Sequence, residues 1–137
     1  TVAPSWFRFY EGLLAAEAGA WDEAADFFEA SFVRSPDWPA ALNAAIARFR
    51  LGEQERGRSR LQDALLLARH GRGSTTTTEP DAGGTVPRSQ RRRAIVFLTA
   101  ARAARDAVTM RDYLSEALAL DPDAPEALLL SAQLENR

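Results

Sequence analysis

The chain has 137 residues and a mass of 15.0 kDa, room for one hydrophobic core and not for two. It has no Cys and one His, and all 17 of its basic residues are Arg. That composition excludes disulfides, thiolate metal sites, cysteine nucleophiles and lysine Schiff bases, and it gives no basis for His-rich metal centres. The formal net charge of −2 conceals a partition: residues 1–47 hold seven acids and two Arg, residues 48–111 fourteen Arg and six acids, and residues 112–137 six acids and one Arg. A basic middle between acidic ends points to an acidic partner or to self-docking of ends onto middles, against the plainer reading of solvated helix faces.

The 27 Ala and 16 Leu stand against only seven Val and Ile together, which predicts an all-α protein. No apolar run approaches the ~20 residues of a membrane-spanning helix, so no membrane insertion is expected. Ser5–Ala18 reads as the first helix, started by Pro4 and Ser5, stopped by Gly19 and striped by Trp6, Phe9, Tyr10, Leu13 and Leu14. Trp21–Arg34 is the second, with Asp22, Glu23, Asp26 and Glu29 on one side and Ala24, Ala25, Phe28 and Phe32 on another. Pro36 and Pro39 punctuate the turn that follows. Ala40–Leu51 is the third helix, ended by Gly52. Gln54 to about Arg69 is the fourth, with His70 as a cap compatible with the helix dipole.

Periodicity then stops. Gly71–Pro87 holds Gly-Arg-Gly, four consecutive Thr, Glu-Pro-Asp and Gly-Gly, and reads as a mobile spacer. Helix resumes at Arg88 and runs to about Arg105, and Ala107–Leu120 is the sixth helix. Asp121-Pro122-Asp123 forms a turn in which Asp123 is expected to cap a final helix, with Pro125 in that helix's first turn. The total is seven helices.

The helices repeat in pairs. Gly19, Ala24, Phe28 and Ser31 recur 33 residues later as Gly52, Gly57, Leu61 and Ala64, and a further 53 later as Arg105, Met110, Leu114 and Ala117. Pro36 follows Ser31 by five residues, as Pro122 follows Ala117. The longer step is a 34-residue period with 19 residues inserted, placed by the spacer. A small residue, then a large apolar one four later, then a small one three later lets a helix approach its neighbours closely.

These residues resemble the tetratricopeptide-repeat family. Its Ala-x3-Phe step stands here as Ala24–Phe28, its close-contact glycine as Gly12 and its terminal proline as Pro36; Tyr113-Leu-Ser-Glu-Ala-Leu-Ala-Leu-Asp-Pro matches a typical second-helix ending. Glu11, Arg105 and Met110 depart from the family pattern, and the second repeat lacks the terminal proline. The resemblance implies an α-solenoid of antiparallel helix pairs: repeat one 5–37, repeat two 38–71, a flexible insertion 72–87, repeat three 88–124 and a capping helix 124–137. It also implies a concave groove lined by the first helix of each pair. That groove would present Trp6, Phe9, Leu13 and Ala16, then Pro39, Leu42, Asn43, Ile46 and Phe49, then Arg92, Ile95, Thr99 and Arg102.

The function so implied is a protein–protein interaction module, an adaptor or assembly scaffold. It would bind an apolar peptide or amphipathic helix of another protein, with Arg92 and Arg102 selecting acidic character. The alternatives are a small secretion-type chaperone and a regulatory domain excised from a larger protein, since Thr1 is not a start methionine. Family members that grip chaperone C-terminal carboxylates need Lys, Asn, Asn, Lys and Arg at places that read here Phe9, Leu13, Asn43, Arg92 and Val96. Only Asn43 matches fully and Arg92 partly, so that grip is not expected. Arg88, Arg91, Arg92 and Arg93 lack the interleaved aromatics of a nucleic-acid surface, and no nucleic acid is expected. No Ser–His–Asp set, phosphate loop or metal-ligand spacing occurs, so neither enzyme activity nor a cofactor is expected. The Arg bias suits a GC-rich bacterial genome; a cytoplasmic location is favoured over the periplasm.

Overall fold

The computed structural model describes residues 5–70 and 88–135. Those residues form seven helices: α1 (Ser5–Glu17), α2 (Trp21–Arg34), α3 (Trp38–Arg50), α4 (Gln54–Arg69), α5 (Arg88–Ala103), α6 (Ala107–Leu120) and α7 (Pro125–Glu135). They fall into two compact units, Thr1–Gly73 and Ser74–Arg137, each with buried apolar residues of its own, where the chain length points to one core. The spacer and its Thr run lie outside the described residues, and so do Glu79 and Asp81.

In the first unit, α1 packs on α2, α2 on α3 and α3 on α4; in the second, α5 packs on α6 and α6 on α7. Links of three residues join α1 to α2, α2 to α3, α3 to α4 and α5 to α6, so consecutive helices fold back on one another. The α1–α2 and α3–α4 turns each place a glycine at positive φ, +81° at Gly19 and +80° at Gly52, a conformation that strains any residue with a Cβ.

The core of the first unit is built from small residues around one large one. Ala15, Ala24, Ala25, Ala44 and Ala47 surround Phe28, which is 1% exposed, with Phe9, Trp21 and Phe27 packed against them. Alanine brings helix backbones close and loses no side-chain entropy on burial; burying Phe28 supplies about 1.5–3 kcal/mol. The space for its ring exists because residue 12 is glycine: a Cβ there would lie 2.6 Å from Phe28 Cε1. Leu61, Ala64, Leu65 and Ala68 bury the inner face of α4. In the second unit, Val96, Phe97, Leu98, Ala101, Leu114, Ala117, Ala127 and Leu134 are buried.

Two local expectations are corrected. The third helix starts at Trp38, not Ala40, because Pro39 lies within its first turn, where the missing N–H would have had no partner in any case. Asp123 accepts no capping hydrogen bond; α7 begins at Pro125 behind a buried Ala124, whose carbonyl takes the Leu128 N–H at 3.1 Å. The side-chain caps stand elsewhere. Asp37 Oδ1 accepts the Ala40 N–H at 3.1 Å, and Asp106 accepts the Thr109 N–H at 2.7 Å and its hydroxyl at 3.0 Å.

Candidate functional site

The first helices of the pairs carry the residues singled out from the sequence. On α1, Trp6 is 64% exposed and Leu13 is exposed, whereas Phe9 is half-buried with its ring 5.6 Å from that of Phe28. Phe7, Tyr10 and Leu14 are also exposed, so α1 offers a contiguous face of large apolar side chains. Contiguous exposed apolar surface of this kind marks interaction sites.

On α3 the same reasoning reaches residues that are mostly covered. Leu42 is 4% exposed; Ile46 and Phe49 are half-buried. Phe49 sits over Gly57 of α4, where a Cβ would lie 2.7 Å from its ring. The Asn43 side chain is half-buried, and its Nδ2 donates to the Pro39 carbonyl one turn back at 2.8 Å. That bond takes one of the two amide N–H donors.

The second unit is described by itself. On α5, Ile95 and Arg92 are exposed, and the Thr99 hydroxyl donates to the Ile95 carbonyl at 2.9 Å. Arg102 forms an ion pair with Glu126 of α7, so its charge is already matched within the unit. Val96, one turn on from Arg92, is buried. Arg91 and Arg93 each have partners as well, whereas Arg92 is exposed.

One cleft is built in the first unit. Trp6 and Phe9 of α1, Ser31 and Ser35 at the end of α2, and Asp37 and Pro39 at the start of α3 enclose about 190 Å³. Trp6, Phe9 and Pro39, all assigned to the groove from the sequence, line this one cleft. It adds Ser31, Ser35 and Asp37, which the repeat pattern did not single out. Asp37 had a legible signal: an Asp directly ahead of Trp-Pro-Ala-Ala is a helix start. Burial raises its carboxyl above the ordinary carboxylate value, against the lowering effect of the Ala40 hydrogen bond.

A second hollow of about 440 Å³ lies among Glu29, Arg48, Arg56, Ser59 and Arg60. Its charges are internally paired. Arg60 grips Glu29 through Nε and Nη2 at 2.9 and 2.6 Å, reaches Asp63 at 2.9 Å and lies 4.4 Å over the Phe32 ring. Arg48 bonds Glu53 at 3.0 Å. This network ties α2 to α3 and α4. Among the described residues no group of His, Cys, Asp or Glu could hold a metal ion, and no helix is long and apolar enough to cross a membrane.

No protein-family model matches the chain, and no curated protein matches it. Among solved structures it is similar to the first TPR of Spaghetti (RPAP3), a structure bound to the HSP90 peptide SRMEEVD. The TM-score is 0.67 over 96% of this chain and 90% of that one, at 20% sequence identity. A likeness at that identity concerns the fold, and the chain has the all-α tetratricopeptide-repeat fold of paired helices.

Proposed function

We propose that this chain is a protein–protein interaction module whose first-helix faces take a peptide or amphipathic helix of a partner. The observation that carries the reading is the open apolar surface of α1, with Trp6 and Leu13 exposed beside a cleft that reaches into the turn between α2 and α3. Fully burying each such side chain contributes about 1.5–3 kcal/mol. Three or four anchors reach micromolar affinity once association costs of several kcal/mol are met. Leu42, Ile46 and Phe49 contribute mainly by shaping this surface, and Arg92, Ile95, Thr99 and Arg102 form the corresponding face of the second unit. The RPAP3 domain binds a peptide rich in acidic residues; here three of the five carboxylate-gripping positions, Phe9, Leu13 and Val96, are apolar and only Arg92 offers an exposed cation, so a different peptide chemistry is proposed. No catalytic role is assigned.

Selection of displayed random dodecapeptides on the immobilised protein tests the reading. Trp6→Ser with Leu13→Ser should abolish enrichment and leave far-UV circular dichroism unchanged, because both side chains are exposed. Undiminished enrichment by that variant refutes it. The size of the exposed apolar face of α1 also favours the chaperone form of the same activity, read as suppression of client aggregation by the parent and not by the double variant.

A further inference from the structure

The cleft among α1, α2 and α3 has a composition that narrows its occupant. At about 190 Å³ it is smaller than the roughly 300–1,000 Å³ of small-molecule pockets, and it suits a single side chain. Trp6, Phe9 and Pro39 make one part of its lining apolar; Ser31, Ser35 and Asp37 make the other polar. Asp37 is the only charged residue lining it. One carboxylate oxygen is committed to the Ala40 N–H, and among the described residues the other accepts no hydrogen bond from the protein. This half-buried carboxylate is held above its ordinary value by burial, with no counter-charge to offset it. No arginine pairs with it among the described residues: Arg8 of α1 bonds Glu11 at 2.9 Å, and Arg34 at the end of α2 is exposed.

We propose that this cleft receives an arginine or lysine side chain of the partner segment, its stem along Phe9 and Pro39 and its cationic head at the open Asp37 oxygen beside Trp6. The proposal rests on the peptide-binding reading above and reverses the charge preference expected from the arginines of α5. Basic side chains carry three or four methylenes that lie well on apolar surface while the head stays polar. Their N–H groups make charge-assisted bonds to a carboxylate. The exposed indole of Trp6 offers a ring face to the same cation. An acidic side chain would meet like charge, and an aliphatic one would leave the carboxylate desolvated and unpaired. Neither completes the site.

The same dodecapeptide selection, run on the parent and on Asp37→Asn, tests it. Asparagine keeps an oxygen for the Ala40 N–H, so the cap and the fold survive while the charge is lost. The parent should enrich peptides with Arg or Lys next to apolar anchors. Replacing that Arg by citrulline in the best synthetic peptide should weaken binding about tenfold, the scale of a partly desolvated charge pair. Asp37→Asn should bind the Arg peptide about tenfold more weakly and no longer distinguish Arg from citrulline. Enrichment without basic residues, or a basic preference that survives in Asp37→Asn, overturns the proposal and leaves the peptide-binding reading standing. Absence of any enriched peptide on the parent overturns both.

Discussion

Gly12→Ala should destabilise the protein, although alanine is the better helix former. A Cβ at residue 12 would stand 2.6 and 2.7 Å from Phe28 Cε1 and Cδ1 and 3.0 Å from Cζ. Carbon pairs prefer about 3.5–4.0 Å, so the ring must retreat by about 1 Å. Phe28 is fully buried, and Phe9 packs against it, so that retreat disturbs a packed core. Overpacking of this kind costs about 1–3 kcal/mol. The helix propensity regained is about 0.8–1.0 kcal/mol, which leaves a net loss of about 1 kcal/mol. Urea unfolding followed by circular dichroism reads it as a lower midpoint at an unchanged slope. The sign depends on the ring. With Phe28→Leu the space reopens, and Gly12→Ala should become neutral or stabilising. Gly57→Ala is an internal control: its Cβ would meet Phe49 at 2.7 Å, but Phe49 is only half-buried and can swing outward, so the loss is smaller. If Gly12→Ala alone raises stability, or Phe28→Leu leaves its effect unchanged, the close-packing argument is wrong.

Further predictions concern the ion-pair network and a helix cap. Arg60→Lys should cost about 1 kcal/mol, because an ammonium cannot reproduce the fork to Glu29 or stack over Phe32. A double-mutant cycle with Glu29→Gln should show favourable coupling, and coupling indistinguishable from zero would exclude the pair as a tie between α2 and α4. The Thr109 backbone N–H, then the Thr109 hydroxyl, hold the Asp106 carboxyl below its ordinary value of 3.8. A depressed folded-state pKa contributes stability that is complete above the ordinary value and lost as pH falls through the folded one. The stability gap between the parent and Asp106→Ala should therefore be constant near neutral pH and close in acid. A gap that persists unchanged into acid would show that the charge is not what caps α6.

Much of the local structure was legible because it depends on neighbours in the chain. Helical periodicity and Gly or Pro punctuation located α2, α4 and α6, and the spacing of Gly12, Ala24 and Phe28 anticipated the close approach of residue 12 to the Phe28 ring. Pro39 misled because a proline reads the same in a turn as in a first helical turn. Asp123 misled because a potential cap needs the following N–H groups to point at it. Asp37 and Asp106 were missed although each lies three residues ahead of the N–H it caps. The α1 face could be read from the sequence, but its equivalent on α3 could not be assigned an exposure: Leu42 is covered and Phe49 leans on Gly57, outcomes set by the adjoining helices. Charge was least legible. Arg102 meets Glu126 24 residues away and Arg60 meets Glu29 31 residues away, so tertiary packing alone decided which arginines remain open to a partner. The sequence by itself determined an all-helical repeat chain with an apolar first helix, because helix propensity and periodicity are local. Which side chains are free to bind, and that Asp37 stands half-desolvated at the cleft, were decided by tertiary packing, because burial and pairing belong to surfaces that exist only once the helices have met.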